Sequence, residues 1–191
     1  MGCVVAIYVM RLFLAIVPPR DIRSRLTALQ GGLLGAHWQA DDKLHLTVRF
    51  VGKVDRHFRD SLIADLACEH LVGGVARLAG LGYFSRKGRV DQLWAGIKPA
   101  EGLRELHRKC DRICVSLGLE PEHRKFVPHV TLARFSRTNA PGESALAGYL
   151  AEYGGLAGPD FTFDELVLFE SHMTPKGSHY IPVATFPLAM A

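Results

Sequence analysis

Polar and apolar residues alternate strictly in two short segments of this chain, 45–48 and 129–132. Each segment has a histidine, an apolar residue, a threonine and a second apolar residue, and an Arg-Phe pair follows within two positions. Successive side chains of a strand point to opposite faces, so the histidine and threonine share one face and the apolar residues face a core. The pattern predicts half-buried strands over 44–51 and 129–135, each presenting one imidazole and one hydroxyl.

The remaining pattern alternates between strands and helices. Apolar runs and period-two spacing predict strands over 11–17, 74–81, 92–98, 161–171 and 180–187. Helical spacing predicts helices over 19–30, 55–71, 99–117 and 142–153, with Asp55 as the cap of the second and Gly118 ending the third. Because the motif strands are not continuous apolar runs, antiparallel sheets with one open face are favoured over a doubly wound parallel sheet.

The position of the two motifs predicts the architecture. Nearly half of the 191-residue chain separates His45 from His129. We therefore predict an α+β fold with two pseudo-symmetric lobes of antiparallel sheet, outer helices and a central cleft between the open sheet faces. One domain is expected over 1–191, with residues 1–9 either an upstream start or an additional β segment.

Composition and charge restrict the compartment and the partners. The formal charge of +4 favours polyanionic partners, yet the chain lacks the dense basic runs of a nucleic-acid wrapper. Four cysteines without a C-x-x-C pair are typical of a reducing cytoplasm, which is the expected location. The apolar stretch 3–17 is interrupted by Arg11 and followed by Pro18, so it is too short and too broken to span a membrane.

One group of residues is of the types that bind metal ions. His107, Cys110 and Cys114 lie near one face of the third predicted helix, but an apolar stripe already occupies that face. Core packing is the favoured interpretation, and no metal or other cofactor is predicted. The histidines outside the two motifs are interpreted as surface or structural residues: His37, His57, His70, His107, His123, His172 and His179.

The two motifs resemble the paired His-x-Thr-x signatures of the two-histidine (2H) phosphoesterases, and among these the bacterial RNA 2′,3′-cyclic phosphodiesterases, also called 2′-5′ RNA ligases. Segments 10–16, 93–96, 126–134 and 163–171 are similar to other blocks of that family. The resemblance implies the bilobal 2H fold and metal-independent hydrolysis of RNA 2′,3′-cyclic phosphate ends to 2′-phosphates. It also implies 2′-5′ RNA ligase activity, with tRNA fragments as one source of such ends, and we expect a monomer.

The histidine pair suits this chemistry. An unperturbed imidazole pKa of about 6.5 allows one ring to be protonated and the other neutral near pH 7. The resemblance implies that His45 is the proton donor to the leaving 3′ oxygen and His129 the proton acceptor that activates water. The residues alone support the pair without this division of roles. Thr47 and Thr131 are expected to donate hydrogen bonds to the non-bridging phosphate oxygens.

The two arginines after the motifs differ in strand parity. Arg49 lies two residues past Thr47, so alternation places it on the cleft face, where it is a candidate for contact with the phosphate or the backbone. Arg134 lies three residues past Thr131 and falls on the core-facing parity unless the strand bends. Its alternative interpretation is an ion pair at the end of the strand.

Other functions remain open at this level. Four aromatic residues are candidates for stacking on a base, although core packing is the commoner role for each: Tyr83, Phe84, Trp94 and Tyr180. A second enzymatic hypothesis is a phosphodiesterase of small cyclic nucleotides or 2′-5′ oligonucleotides. A third is a non-catalytic module that binds RNA phosphates, and a fourth, less favoured, is a zinc-binding histidine protein.

Overall fold

The two motif strands lie side by side at the centre of an antiparallel sheet. The structure is a computed structural model that describes residues 9–174 and 177–190, so the predicted segment 1–9 lies outside the described residues except for Val9. Within the described part the chain forms nine strands and four α-helices. The strands are β1 Met10–Ile16, β2 Ala36–Trp38, β3 Leu46–Val54, β4 Gly74–Arg86, β5 Arg89–Lys98, β6 His129–Phe135, β7 Phe161–Phe163, β8 Glu165–Thr174 and β9 Gly177–Pro187. The helices are α1 Arg20–Ala28, α2 Arg56–Cys68, α3 Glu101–Ser116 and α4 Glu143–Tyr153.

The strand order divides the sheet into two halves of four strands. The order is β7-β4-β5-β6-β3-β1-β8-β9, with β2 added beside β6. The strands β6 and β3 meet through one registered pair, Val130 opposite Leu46. The half that contains His45 is built from both ends of the chain, whereas the half that contains His129 is built from its middle. The predicted α+β fold with two pseudo-symmetric lobes is confirmed, and all pairings between these strands are antiparallel.

The helices form where the sequence supplies caps and apolar stripes. The Asp55 carboxylate accepts a hydrogen bond from Phe58 N at 2.8 Å and so caps the first turn of α2, as predicted. Helix α3 packs on β3 and α2 and ends at Ser116, two residues before Gly118, whose φ of +98° is easily adopted only by a residue without a side chain. The buried stripe of α3 consists of Leu103, Leu106, Cys110, Ile113 and Cys114.

Several strand bounds differ from the predictions, and turn chemistry explains most of the differences. Gly52 does not end β3, because with φ +89° it lies inside an irregular stretch of the β1–β3 pairing. The predicted polar connection 85–91 is the end of a long hairpin whose turn residues, Lys87 and Gly88, both have positive φ. The predicted strand 161–171 is interrupted at Asp164. No helix among the described residues is long and apolar enough to cross a membrane.

Candidate active site

The two motif histidines are oriented by the same local contact. The Nδ1–H of His45 donates to the backbone carbonyl of Lys43 at 2.8 Å, and that of His129 donates to the carbonyl of Val127 at 2.6 Å. In both cases the acceptor lies two residues before the histidine. A ring whose Nδ1 carries this hydrogen keeps Nε2 free to accept or deliver a proton. Both half-buried rings line one cleft of about 970 Å³.

The two motif threonines lie on the same side as the histidines. Thr47 and Thr131 are half-buried and line the cleft, whereas the residues that alternate with them, Leu46 and Val130, are buried in the core. This is the arrangement that strand alternation predicts. The cleft therefore brings two imidazoles and two hydroxyls together, one of each from each half of the sheet.

A β-bulge in β3 changes the face of the residues that follow Thr47. The partners of consecutive β1 residues jump from Thr47 to Arg49, which leaves Val48 as the extra residue. An extra residue moves every later side chain to the opposite face of the strand. The exposed side chain on the cleft side is therefore Phe50, and Arg49 is buried. The expectation that Arg49 shares the cleft face with His45 is wrong for this reason.

The Arg49 guanidinium is occupied by contacts behind the cleft. Its Nε lies 2.7 Å from Asp111 Oδ1, an ion pair in which the N–H is not aligned on the oxygen. Its Nη1 donates to the Phe50 carbonyl at 2.8 Å, and its Nη2 donates to the Glu120 carbonyl at 2.6 Å. The side chain is 7% exposed. Arg49 therefore joins β3 to helix α3 and to the segment after it, as a structural cation.

A second bulge, in β6, has the opposite consequence for Arg134. The partners of consecutive β5 residues jump from Thr131 to Ala133, which leaves Leu132 as the extra residue. Arg134 is therefore exposed in the cleft, on the side of His129 and Thr131, and not on the core-facing side that strict alternation predicts. The sequence predicted that Arg134 would reach the cleft only if the strand bends, and this bulge supplies the bend.

Gln92 fixes the Arg134 guanidinium in the cleft. With its amide oxygen facing these groups, Gln92 accepts from Arg134 Nη1 and Nη2 at 3.0 Å each and from Thr131 Oγ1 at 3.3 Å. Strand β5 places Gln92 directly opposite Arg134, so the contact follows from the register. The predictions did not include Gln92, because only the cross-strand pairing brings it next to the motif.

Each bulge exposes a backbone carbonyl, and the two carbonyls have different partners. The Val48 carbonyl accepts from His107 Nδ1–H at 2.7 Å, while the Leu132 carbonyl accepts from the backbone N–H of Gln39 at 2.8 Å. The His107 ring stacks on Phe126 at 4.4 Å with an interplanar angle of 2°. The interpretation of His107 as a structural histidine agrees with these contacts, but the sequence did not reveal what it supports.

Aromatic rings surround His45 on the first half of the sheet. Phe13 lies 5.0 Å from the imidazole between ring centroids, and Tyr180 lies 5.2 Å away, edge-on. Phe169 completes the group at 6.4 Å from His45 and stacks on Phe13 at 5.3 Å. Tyr180 was a candidate stacking platform. Phe13 and Phe169 were not, although both lie in segments that resemble the 2H family.

His129 is also packed against aromatic rings. Phe84 meets the imidazole edge-on at 5.0 Å, and Trp94 lies at 5.8 Å. The Trp94 ring lies over Gly82, where an added Cβ would come within 2.3 Å of the indole, so this glycine makes room for it. Phe84 lines the cleft, whereas Trp94 and Tyr83 are not among the described residues that line it.

Burial determines the protonation of both histidines. Desolvation lowers the pKa of His45 to about 4; the hydrogen bond to the Lys43 carbonyl opposes this, and the positive charges of Arg134 and His129 add to it. Desolvation also lowers the pKa of His129, with the Val127 carbonyl opposing and Arg134 adding to the effect. Both imidazoles are therefore neutral at pH 7, and an anion that binds beside them raises both pKa values.

The possible metal ligands on α3 do not come together as a site. Cys110 and Cys114 are free thiols buried in the core, and burial raises the pKa of both, which keeps them protonated. The described residues contain no group of three or more His, Cys, Asp or Glu side chains that could hold a metal ion.

Two curated relatives share a name. The chain is 33% identical over 141 residues to the RNA 2′,3′-cyclic phosphodiesterase of Aeropyrum pernix, covering 73% of this chain and 79% of the relative. It is 32% identical over 160 residues to the RNA 2′,3′-cyclic phosphodiesterase of Geobacillus stearothermophilus, covering 79% of this chain. The match spans 47% of the Geobacillus protein, about half of its length.

The solved structures agree on the fold. A Thermus thermophilus protein, TT0787, matches with a TM-score of 0.77 and 26% identity over 94% of this chain and 98% of that one. The structure of E. coli LigT with 3′-AMP matches with a TM-score of 0.74 and 24% identity, covering 95% and 99%. The family model of the LigT-like phosphoesterases matches twice, over residues 16–94 and 97–180, so that each match contains one motif histidine. This chain therefore belongs to the LigT-like phosphoesterase family.

Proposed function

We propose that this protein hydrolyses RNA 2′,3′-cyclic phosphate ends to 2′-phosphates by acid–base catalysis with two histidines. One observation carries the proposal: two imidazoles with free Nε2 atoms and two threonine hydroxyls face one cleft, from matched positions of the two motifs. The shared name of relatives at 32–33% identity supports the substrate class.

The proposed reaction balances with the two imidazoles alone. His129 accepts a proton from water, and the water oxygen forms a bond to phosphorus. The bond from phosphorus to the 3′ oxygen breaks, and protonated His45 delivers its proton to that oxygen, which leaves a 2′-phosphate. The proton that His129 gained and the one that His45 lost are then exchanged with solvent. Each such proton transfer contributes typically about 10²–10⁴-fold to the rate.

The side chains between the histidines stabilise the transition state. Its extra negative charge lies on the non-bridging oxygens, toward which the hydroxyl of Thr47 can donate, and that of Thr131 once it turns from Gln92. Arg134 adds a full positive charge, and Gln92 restricts the guanidinium to one orientation. Donors that are already held in place before the reaction cost no reorganisation when the charge develops.

Substrate binding supplies the condition that His45 needs to act as an acid. Its pKa of about 4 leaves it neutral near pH 7. The phosphodiester anion brings a negative charge between the two imidazoles and raises the pKa of both. Protonation of His45 is therefore coupled to the arrival of the anion.

Ligation is the same displacement with a different nucleophile. A 5′-hydroxyl of RNA that attacks in place of water, on a phosphate whose 2′ oxygen remains attached, gives a 2′-5′ linkage with the same acid and base. We include this 2′-5′ RNA ligase activity in the proposal as a second outcome at one site. The alternatives are small cyclic nucleotides or 2′-5′ oligonucleotides as substrates, and phosphate binding without turnover.

The decisive experiment is a product analysis in EDTA. An RNA with a 2′,3′-cyclic phosphate end is incubated with the purified protein and its His45→Ala and His129→Ala variants, and the terminal phosphate is identified by NMR or by chromatography against 2′- and 3′-phosphate standards. A 2′-phosphate formed by the parent protein and reduced at least about 10²-fold in both variants is expected. A 3′-phosphate would reverse the donor and acceptor roles, and retained binding without turnover would support the binding module. His179→Ala, outside the cleft, is the matched control.

A further inference from the structure

The positive charge of this protein is concentrated in the cleft. Six cationic side chains and two acidic ones present their charge to it, an excess of four that equals the formal charge of the chain, +4. The rest of the chain therefore carries no net positive charge. The six cations are Arg11, Lys43, Arg86, Arg124, Lys125 and Arg134, and the two acids are Asp91 and Glu122; Arg49 also borders the cleft, but its guanidinium is paired behind it.

The strand register separates the cleft into two ends. Because β3 and β6 are antiparallel and meet at Leu46 and Val130, the residues after Thr47 lie beside those that precede His129. Phe50 and Lys125 therefore lie at one end of the cleft, which we call the Phe50 end. Arg11 joins this end, since β1 places it opposite Lys53, just beyond Phe50. The Phe50 end is defined by Arg11, Phe50, Arg124 and Lys125.

The other end is already committed to the scissile phosphate. Arg134 reaches the centre of the cleft, where it lowers the pKa of both His45 and His129. Gln92 holds it there, and beyond Gln92 lies the Asp91 carboxylate, which repels a further phosphate. Two further cations lie near this end: Arg86, at the tip of the β4–β5 hairpin, and Lys43, which precedes His45.

The Phe50 end combines an apolar surface with cations that have no partner. Phe50 is 51% exposed although it points into a polar cleft. Arg11 and Lys125 are exposed, and neither forms an ion pair with any residue that the structure describes. Arg124 is paired with Glu122 at 2.6 Å. An aromatic face beside free cations is the combination that binds single-stranded nucleic acid.

The chain segment that carries Arg124 and Lys125 is held in place before any ligand binds. Arg49 Nη2 donates to the Glu120 carbonyl, and Asp111 Oδ1 accepts from Glu122 N at 3.2 Å. These contacts fix the chain immediately before the two cations. A segment that is already ordered loses less conformational entropy on binding than a flexible one.

We propose that the Phe50 end is a subsite for the nucleotide chain upstream of the cyclic phosphate. In this subsite Phe50 packs against the terminal nucleoside, and Arg11 and Lys125 bind the phosphodiester on its 5′ side. The inference rests on the proposed function and deepens it, because it makes an oligonucleotide the preferred substrate over a cyclic mononucleotide. The cleft volume of about 970 Å³ is at the upper end of small-molecule sites, which span about 300–1,000 Å³.

The test compares two substrates that differ only in the upstream nucleotide, a nucleoside joined through a phosphodiester. One is adenosine 2′,3′-cyclic monophosphate without a 5′ phosphate, and the other is the dinucleotide ending in the same cyclic adenosine. We expect the parent protein to favour the dinucleotide in kcat/KM by about tenfold or more. In R11Q/K125Q this preference falls to about one, while kcat/KM for the cyclic mononucleotide stays within about twofold of the parent value.

Two controls locate the effect. Arg86→Gln removes a cation at the other end and is expected to preserve the preference for the dinucleotide. Tyr83→Ala matches Phe50→Ala in removing an exposed ring, but Tyr83 is outside the cleft lining. Phe50→Ala is expected to lower kcat/KM for both substrates, and Tyr83→Ala for neither. Equal turnover of the two substrates by the parent protein, or loss of the preference in Arg86→Gln alone, would overturn the proposal.

A binding measurement separates failure of the subsite from failure of the proposed function. The affinities of adenosine 2′-phosphate and of the dinucleotide ending in a 2′-phosphate are measured for the parent protein and R11Q/K125Q by calorimetry. The double variant is expected to weaken binding of the dinucleotide alone and to make that binding less dependent on salt. This holds whether or not the protein turns over either substrate. An unchanged dinucleotide affinity would refute the subsite.

Discussion

The two halves of the site have the same backbone arrangement, but they differ in whether the arginine that follows the motif reaches the cleft. Both motif strands carry a bulge directly after the threonine, at Val48 and at Leu132. In the first half the arginine follows the bulge immediately and is buried, and in the second half one more residue precedes it and it enters the cleft. An arginine whose side chain the bulge turns away from the cleft is buried, as Arg49 is. The spacing from the bulge, and not the presence of an Arg-Phe pair, therefore decides which arginine can meet a phosphate.

The same offset gives the two ends different chemistry. The position three residues after the threonine faces the cleft in both halves and holds Phe50 in the first and Arg134 in the second. One end of the cleft thus presents a positive charge, and the other presents an apolar ring. A nucleotide is asymmetric in a similar way, since its phosphate is charged and its base has an aromatic face.

The largest expected effect comes from removing the cation in the cleft. Arg134→Gln is expected to lower kcat/KM by about 10²–10³-fold, because the transition-state charge loses a held donor. Stability should stay within about 0.5 kcal/mol, since the side chain is exposed. Steady-state kinetics with a cyclic phosphate substrate and a urea titration measure the two quantities. Arg77→Gln, exposed and outside the cleft, is the control, and a loss below tenfold in Arg134→Gln would contradict the assignment.

Arg49 is expected to show the reverse pattern. Arg49→Ala leaves Asp111 without its close partner and opens space behind β3, so the free energy of unfolding should fall by about 3 kcal/mol. A urea titration checks the value. Addition of inorganic phosphate should compete equally well with substrate in the parent protein and in the folded Arg49→Ala variant, since Arg49 does not face the ligand. A variant as stable as the parent would show that Arg49 is not a structural cation.

The pH dependence compares the two histidines directly. Both pKa values are lowered from 6.5, that of His45 to about 4, so the optimum of kcat/KM, which reports the free enzyme, is expected below pH 6.5. The optimum of kcat is expected at higher pH, since the bound anion raises both values. In Arg134→Gln the kcat/KM optimum should also move upward. An optimum of kcat/KM above pH 7 would contradict the lowered pKa values.

The lowered pKa values of the two histidines also make the free energy of unfolding depend on pH. Below pH 6.5 His45 is protonated in the unfolded chain, whereas in the folded protein it becomes protonated only near pH 4. The free energy of unfolding therefore falls as the pH decreases across this window. His129 acts in the same direction. Inorganic phosphate should reduce this loss by raising both pKa values. Urea titrations at several pH values, with NMR of the ring protons to assign each histidine, measure both effects.

The sequence predicts the parts of the site that depend on alternation alone. His45, Thr47, His129 and Thr131 lie where a period of two places them, because the strand is regular between the histidine and the threonine. The arginines could not be placed, because neither bulge residue is a glycine and nothing in the local pattern marks the irregularity. Contacts between distant segments were equally hidden. Gln92 is beside Arg134 only through the β5–β6 register.

The smallest expected effect concerns how each bulge is held. The Val48 carbonyl depends on a side chain, His107, whereas the Leu132 carbonyl depends on a backbone N–H that no substitution of a side chain removes. His107→Phe keeps a ring next to Phe126 but removes the donor, so the carbonyl loses its partner at a cost of about 1–2 kcal/mol in unfolding free energy. A weaker first bulge also lets Thr47 move relative to His45. We therefore expect kcat to fall by about threefold to tenfold with KM unchanged.

Rescue distinguishes this positioning role from simple destabilisation. His107→Asn places its Nδ2 donor where Nδ1 of the imidazole lies, so it should recover most of the lost kcat although it loses the stacking on Phe126. Stability and kcat then separate: His107→Phe keeps the ring and loses activity, and His107→Asn loses the ring and keeps activity. If kcat instead followed the free energy of unfolding in both variants, the bulge would contribute to the core alone. The difference between the two halves would then be confined to the position of their arginines.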